Sequence, residues 1–122
     1  MKPLVRIAMT IGIGLLVQGA ACADENAKLA SLRAEITALI GPATCANLVN
    51  CRVAGLGLDA CGAPLEYVAY SWLSTEKDAL ETKIAEYNFV QGDIQQAPAA
   101  TACIAKPVPV AACVNRRCVV KP

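Results

Sequence analysis

Seven cysteines in a chain of 122 residues constrain the fold more than any other feature of this sequence. Cys22 lies near the N-terminus, and six more follow. In a small exported domain, an even set of six predicts three disulfides, for which 15 connectivities exist. The six are Cys45, Cys51, Cys61, Cys103, Cys113 and Cys118.

Metal binding is a poor alternative explanation for these cysteines. Their spacing lacks the C-x2-C pairs that structural zinc sites favour, and the chain contains no histidine. We therefore expect no metal site and no other cofactor.

The N-terminal segment has the three parts of an export signal. Lys2 and Arg6 give a positive start, residues 7–17 are uncharged and apolar, and residues 18–23 are mostly small. An apolar stretch of about 11 residues is too short for a membrane anchor, which needs about 20. We predict a signal peptide over residues 1–23 and one disulfide-stabilised domain over residues 24–122.

Two processing routes remain open at the end of this segment. Ala21 and Ala23 satisfy the A-x-A rule for cleavage before Asp24, which would release a periplasmic or secreted protein. Alternatively, the end of the segment resembles a bacterial lipobox, with Gly19 where a larger aliphatic residue is usual. Cys22 would then be lipidated, the signal would span residues 1–21, and the product would be a membrane-anchored lipoprotein. We expect membrane association only in that second case.

The residue patterns predict an α+β fold: two amphipathic helices on a short antiparallel sheet, a C-terminal hairpin and three disulfides. Apolar residues recur at helical spacing over residues 25–40, and Gly41-Pro42 ends that run. A second helix should start after a cap at Ser74 or Thr75 and stop at Gly92. Its predicted inward residues are Leu80, Ile84 and Tyr87.

The strands are predicted around a glycine-rich bend. Residues 52–56 form a short strand after a loop or single helical turn at residues 45–51, and residues 66–72 form a central strand. Alternation in that strand puts Val68, Tyr70 and Trp72 on one face, and Tyr67, Ala69 and Ser71 on the other.

The C-terminal segment is predicted to be a β-hairpin. A two-residue turn at Asn115-Arg116 places Cys113 opposite Cys118, on the same face and within disulfide reach. Pro107 and Pro109 confine the first strand of the hairpin to a sheet edge. Residues 92–102 show no periodicity and are predicted to be a loop.

These features resemble a group of small exported proteins of Gram-negative bacteria with no assigned activity. The resemblance rests on the run CGAPLEYVAYS, a charged helix, a cysteine after a small-residue loop, and a closing C-x4-C hairpin. It covers residues 51–120, although Ala63 and Arg116 stand where the group more often has glycine. It implies a disulfide-supported fold and an exported destination, and it carries over no catalytic residue.

The composition excludes several chemistries. Without histidine, Ser-His-Asp and Cys-His arrangements cannot form, and the chain has neither a C-x-x-C pair nor a phosphate-binding glycine loop. Asp59 and Glu66 are the remaining candidates for an enzyme, although solvated surface carboxylates are the more common case. A stacking platform formed by Tyr67, Tyr70 and Trp72 is likewise less favoured than a core role.

Charge is divided unevenly along the domain. Residues 24–93 hold ten acids and five bases, and residues 94–122 hold four bases and no acid. The overall balance gives no reason to expect nucleic acid as a partner. We expect the basic hairpin to lie near the acidic second helix. In a sharper alternative, Arg116 and Arg117 at the hairpin tip insert into an acidic cleft of a partner.

Together these observations predict an exported, non-enzymatic binding module of the cell envelope or exterior, such as an inhibitor or adaptor. Its partner would be an unidentified protein or envelope component. The alternatives are a small secreted enzyme that works through carboxylates, and a structural envelope lipoprotein.

Overall fold

The computed structural model describes residues 12, 14, 20–95 and 102–122. It confirms an α+β fold with three disulfides. No helix within these ranges is long and apolar enough to cross a membrane. Most of the predicted signal segment lies outside the described residues. The elements are α1 (Ala20–Ile40), a one-turn 3-10 helix (Leu48–Asn50), β1 (Cys51–Leu58), β2 (Pro64–Ser71), α2 (Lys77–Gln95), β3 (Val110–Val114) and β4 (Arg117–Lys121).

Helix α1 ends where the sequence predicts and begins earlier. Gly41 follows Ile40 with a φ of +57°, the left-handed conformation that glycine adopts readily after a helix. At the other end, the helix begins at Ala20 and not near Glu25, because the alanine-rich sequence before Asp24 continues the helix.

The sheet of β1 and β2 is sandwiched between the two helices and the C-terminal hairpin. Ala54 and Val68 pack against the helices, whereas their neighbours Val53 and Ala69 pack toward the hairpin. This alternation is that of a two-stranded sheet with both faces covered. The helix-side core consists of Leu32, Ile36, Leu56, Tyr70, Leu80, Ile84, Tyr87 and Val90, and the hairpin-side core of Ala43, Cys45, Cys51, Ala111 and Cys118.

The faces of β2 match the prediction except at Trp72. Val68 and Tyr70 lie on the helix side, and Ala69 lies on the hairpin side. The strand ends at Ser71, whose carbonyl accepts hydrogen bonds from the Ser74 and Thr75 amides and so begins a turn. Alternation stops there, and Trp72 is half exposed instead of buried in the core.

Both predicted ends of α2 are wrong, although its inward face is correct. The helix starts at Lys77, and Thr75 is buried with its hydroxyl 3.4 Å from the Leu39 carbonyl at the end of α1. At the other end, the helix continues through Gly92 to Gln95, because Gln91 bonds to the backbone of β1 and holds this turn in place. The predicted inward residues Leu80, Ile84 and Tyr87 are all buried.

The hairpin has the predicted register. Cys113 lies opposite Cys118, and Asn115 and Arg116 both have positive φ, as a type I′ turn requires. Residues 43–45 run beside β4: the Cys45 amide donates to the Arg116 carbonyl, and the Cys118 amide donates to the Ala43 carbonyl.

Each facing hairpin cysteine pairs with a cysteine outside the hairpin. The disulfides are Cys45–Cys113, Cys51–Cys118 and Cys61–Cys103. Cys51–Cys118 attaches the hairpin to the start of β1, Cys45–Cys113 attaches it to the segment before the 3-10 helix, and the third disulfide ties residue 103 to the β1–β2 loop. A Cys113–Cys118 bridge, which the register alone would allow, does not form because both sulfurs are used to join the two layers.

Candidate functional site

Four large apolar side chains are exposed around the start of β1. They belong to Leu48 and Val49 of the 3-10 turn, Trp72 after β2, and Val110 at the start of β3, and they are 59%, 64%, 50% and 61% exposed. We call these four residues the apolar patch. Single exposed apolar side chains are common on soluble proteins and need no explanation. A cluster of large ones is uncommon and marks a site of interaction with another molecule.

The backbone under the apolar patch is held by side-chain hydrogen bonds. The indole N–H of Trp72 donates to the Val49 carbonyl at 2.8 Å, and Nη1 of Arg52 donates to the same carbonyl at 2.9 Å. Oδ1 of Asn50 accepts from the Ala46 amide at 3.0 Å. The patch therefore sits on a fixed turn.

A groove of about 410 Å³ runs beside the patch on the hairpin side of β1. Its walls are almost entirely apolar, and Arg52 supplies the one charged side chain. We call it the hairpin-side groove. The lining residues are Leu48, Val49, Cys51, Arg52, Val53, Pro109, Val110 and Ala111.

A second groove of about 340 Å³ lies on the other side of the same strand, against α2. Tyr70, Leu80 and Ile84 form its apolar floor, and Glu81 is its one charged residue. We call it the helix-side groove. Both grooves are lined by Val53, so the outer edge of β1 is the ridge between them.

The three aromatic residues considered as a stacking platform do not share a surface. Tyr70 is buried in the helix-side core, which confirms its core role. Tyr67 is half-buried and directed by alternation to the opposite face of β2, while Trp72 lies beyond the strand. Only Trp72 belongs to the candidate site.

The carboxylates Asp59 and Glu66 serve separate structural contacts. Oδ1 of Asp59 accepts from the Cys61 and Ala63 amides at 2.8 and 2.9 Å, and these bonds shape the β1–β2 loop. The bond from the Ala63 amide is the largest cause that lowers the pKa of Asp59, and Lys106, at 3.7 Å, also lowers it. A carboxyl group held ionised in this way is poorly suited to act as a general acid.

Glu66 is bound to α1. Arg33 donates to its carboxylate and also to the Tyr87 hydroxyl, at 3.1 Å in the second case, while the guanidinium lies 5.5 Å from the centre of the Tyr87 ring. The hydrogen bond with Glu66 is the main cause that raises the pKa of Arg33. This arrangement attaches α1 to the sheet and to α2, and it does not join Glu66 to Asp59.

The basic hairpin does not pair with the acidic second helix. It packs on β1, β2 and residues 43–45, across the sheet from α2. Within the described ranges, Lys106–Asp59 is the sole ion pair between the basic C-terminal segment and an acid. Arg116 is exposed at the tip of the turn, and Nε of Arg117 lies 3.4 Å from the Pro42 carbonyl. The two arginines are therefore in different situations.

Two disulfides lie next to each other under the patch. The sulfurs of Cys45, Cys51 and Cys113 are within 4.8 Å of one another, a spacing that three metal ligands could have. Cysteine binds metals as the thiolate, and here each sulfur is bonded to another sulfur. The cluster therefore serves to join the hairpin to β1.

Sequence reasoning missed the apolar patch because it considered Leu48 and Val49 only as part of a short connection. One signal was available: two adjacent aliphatic residues lie in a loop of five residues between Cys45 and Cys51. A loop this short leaves little room to turn such side chains into a core.

Comparisons with known proteins add no relative. No protein-family model matches the chain, and no curated protein or solved structure is significantly similar to it. The resemblance to small exported proteins of Gram-negative bacteria therefore stays a prediction.

Proposed function

We propose that this protein is an exported, non-enzymatic binding module that holds a protein partner on its apolar patch. Three disulfides in a small domain are typical of an oxidising compartment outside the cytoplasm. The proposed destination is the periplasm or the cell exterior. A membrane-anchored form follows if Cys22 is lipidated.

The observation that carries the proposal is the position of Trp72. Tryptophan is enriched among the few interface residues that dominate binding energy. Here the indole N–H is already satisfied by the Val49 carbonyl, so a partner can cover the ring without leaving a buried donor unpaired. Leu48 and Val49 extend this apolar area.

The disulfides make the patch suitable for binding. Cys51–Cys118 fixes the end of the 3-10 turn to β4, and Cys45–Cys113 fixes the segment before it to β3. A surface that is ordered before binding loses little conformational entropy when the partner docks. An inhibitor or adaptor needs this property.

The enzyme alternative has weaker support. Its two candidate carboxylates, Asp59 and Glu66, are occupied by loop amides and by Arg33. A structural envelope role would need no exposed tryptophan on a fixed turn. The binding module accounts for the patch, and the other two functions do not.

Site-specific photo-crosslinking in the producing cell tests the proposal. A photoreactive residue replaces Leu48 in one strain and Val110 in another, and the matched control replaces Phe89 of α2, which is 73% exposed and equally apolar. The full chain with its own signal is used, so that processing and oxidation are native.

We expect the same partner band from positions 48 and 110 and none from position 89. Bands of equal intensity from all three positions would mean general stickiness and would contradict the proposal. Failure to crosslink at 48 and 110 would contradict it too.

A further inference from the structure

We infer that the partner binds by strand addition: an extended segment of it pairs with the outer edge of β1 at Val53 and Gly55. This inference rests on the proposed function, since it specifies how the partner of the same surface is held. In this mode, backbone hydrogen bonds supply affinity, and pockets for alternate side chains supply specificity. The outer edge of β1 offers both.

The direction of the β1 backbone follows from its pairing with β2. The Trp72 amide donates to the Asn50 carbonyl at 3.1 Å, so the ladder bonds of β1 before Gly57 fall on the even-numbered residues Arg52, Ala54 and Leu56. The backbone groups of Val53 and Gly55 therefore point away from β2. Gly57, also an odd-numbered residue, confirms this outward direction, because its N–H donates to Oδ1 of Asn88 on α2 at 2.7 Å.

Side chains cover both ends of this edge and leave its centre open. At one end, Nη1 of Arg52 donates to the Cys51 carbonyl at 3.0 Å. At the other end, Asn88 covers the Gly57 amide, and Oε1 of Gln91 accepts from the Leu58 amide at 3.0 Å. Across residues 20–95 and 102–122, no partner is found for the N–H and C=O groups of Val53 and Gly55.

This pattern differs from the usual protection of an exposed strand. Proteins commonly blunt a whole edge with charges, prolines or a covering loop, because a free edge invites unspecific pairing. Here the open stretch is limited to two outward-facing residues between covered ends. It is long enough for a strand of about three to five residues and too short for extended aggregation.

The two grooves lie where the side chains of an added strand would go. Successive side chains of a strand point to opposite faces, so those of the partner would enter the hairpin-side groove and the helix-side groove in turn. Both grooves include Val53, one of the two residues of the open edge. Each groove can therefore receive residues from the same bound segment.

The groove linings define the chemistry of the segment. The hairpin-side groove is apolar with one arginine, Arg52, and it selects aliphatic side chains flanked by an acidic residue. The helix-side groove carries Glu81, which is 61% exposed and 3.6 Å from Lys77. It selects small or basic side chains and disfavours acidic ones. The partner segment is extended, apolar at alternate positions and acidic near Arg52.

Peptide selection followed by backbone substitution tests this inference. The probe is a library of random seven-residue peptides displayed on phage and selected on the oxidised, folded protein. Each enriched peptide is then synthesised with and without N-methylation at alternate residues. We expect N-methylation on one set of alternate positions to weaken binding by about tenfold, because it removes the hydrogen bonds to β1.

A pair of proline variants tests the edge of the protein itself. Val53→Pro removes an outward N–H and keeps every ladder bond, whereas Ala54→Pro removes a bond to β2. We expect Val53→Pro to keep a cooperative fold and to lose the selected peptides, and Ala54→Pro to melt at a clearly lower temperature. Equal binding of the peptides to wild type and Val53→Pro would overturn the inference.

Amide hydrogen exchange on the wild-type protein supplies a readout that needs no variant to fold. The Val53 and Gly55 amides should exchange at least about tenfold faster than those of Ala54 and Leu56, and a selected peptide should slow them. Exchange that is slow without peptide and unchanged with it would overturn strand addition. The inference would also be overturned if the protein formed a dimer and Val53→Pro dissociated it. The strand added to the edge of β1 would then come from a second copy of this protein and not from a partner. A library without any enriched peptide would also count against it.

The partner found by crosslinking separates this inference from the proposed function. If Trp72→Ala abolishes that complex and Val53→Pro leaves it intact, the apolar patch binds the partner and strand addition is wrong. If neither variant affects the complex, the proposed function is wrong as well.

Discussion

The indole N–H of Trp72 lies 2.8 Å from the carbonyl oxygen of Val49, and this bond joins the residue after β2 to the turn before β1. The two segments are 23 residues apart in sequence. The bond holds Trp72 at the surface, where the residue is half exposed. At this position we expect Trp72 to contribute less to the stability of the fold than a buried aromatic residue does, and more to the binding of a partner.

Replacement of Trp72 should therefore have a moderate effect on stability. We expect Trp72→Phe to lower the free energy of unfolding by about 0.5–1.5 kcal/mol through the lost hydrogen bond. Trp72→Ala should cost about 1–2 kcal/mol, well below the 3–5 kcal/mol of a fully buried aromatic site. Chemical denaturation of the oxidised protein measures both.

Fluorescence provides a direct check, because the chain has a single tryptophan. Iodide should quench its emission in the native state. Protection from iodide together with a loss of 3 kcal/mol or more in Trp72→Ala would place the side chain in the core and would contradict the structure.

The exposure of Trp72 shows that the sequence pattern predicted the faces of β2 but not the residue at which the strand ends. Alternation assigned Val68, Tyr70 and Ala69 to the correct faces, because both faces of β2 are covered and the register is strongly constrained. It failed two residues later because the carbonyl of Ser71 is used by a turn. Nothing in the apolar pattern marks the residue at which a strand stops.

The glycines also separate what the sequence predicts correctly from what it does not. Gly41 terminates α1 as predicted, whereas Gly92 lies inside α2. A glycine within a helix costs about 1 kcal/mol relative to alanine, and tertiary contacts such as the bond from the Leu58 amide to Gln91 can exceed that cost. The disulfide partners and the open edge of β1 also depend on how layers pack, which local sequence does not encode.

The three disulfides should differ in their contribution to stability. Loops of 67 and 42 residues each imply about 4 kcal/mol of lost entropy in the unfolded chain, so loop length hardly separates Cys51–Cys118 from Cys61–Cys103. Burial separates them, because the first pair is buried and the second is exposed. We expect the double serine variant of Cys51 and Cys118 to lose more stability than that of Cys61 and Cys103.

Thermal unfolding of both double variants measures this order, and thiol titration of the wild type should find no reactive thiol in the folded domain. A larger loss from the exposed pair would contradict the layered arrangement. Two or more reactive thiols per folded, processed molecule would contradict the disulfide assignment.

Asp59 should make part of the stability depend on acid pH. Hydrogen bonds from the Ala63 and Cys61 amides, together with Lys106, hold its pKa below the ordinary value of about 4. A lowered folded-state pKa stabilises the protein above the unfolded pKa, and this contribution is lost as pH falls through the folded pKa. Between pH 5 and pH 2, wild type should lose more stability than Asp59→Asn, which keeps an acceptor oxygen for the loop.

Equal pH slopes for the two proteins over that range would show that the carboxylate charge adds nothing. Urea denaturation at several pH values gives both slopes. Asp93→Asn, at an exposed acid of α2, is the matched control for the loss of one negative charge.

Arg116 occupies a turn position that favours glycine. Its φ of +62° costs a non-glycine residue roughly 1 kcal/mol, so we expect Arg116→Gly to raise the free energy of unfolding by about 0.5–1 kcal/mol. If the hairpin tip contacts an acidic partner, the same variant should bind the crosslinked partner more weakly, with a reduced dependence on salt. Thermal melting and a binding titration report the two effects.

Arg117→Ala serves as the comparison, because Nε of Arg117 lies 3.4 Å from the Pro42 carbonyl, within the protein's own fold. It should lower stability slightly and leave partner binding unchanged. If Arg116→Gly stabilises the protein and binds the partner as wild type does, the hairpin tip takes no part in binding.

Two aspartate substitutions test the central claim most directly, that the apolar patch exists for binding and not for folding. Val49→Asp places a charge in the patch at a residue that is 64% exposed, and Phe89→Asp does the same on α2 at a residue that is 73% exposed. Melting temperature and affinity for the crosslinked partner are measured for both. We predict melting temperatures close to wild type for both variants, with binding lost in Val49→Asp and kept in Phe89→Asp. A Val49→Asp protein that melts at a markedly lower temperature and still binds the partner would contradict the account.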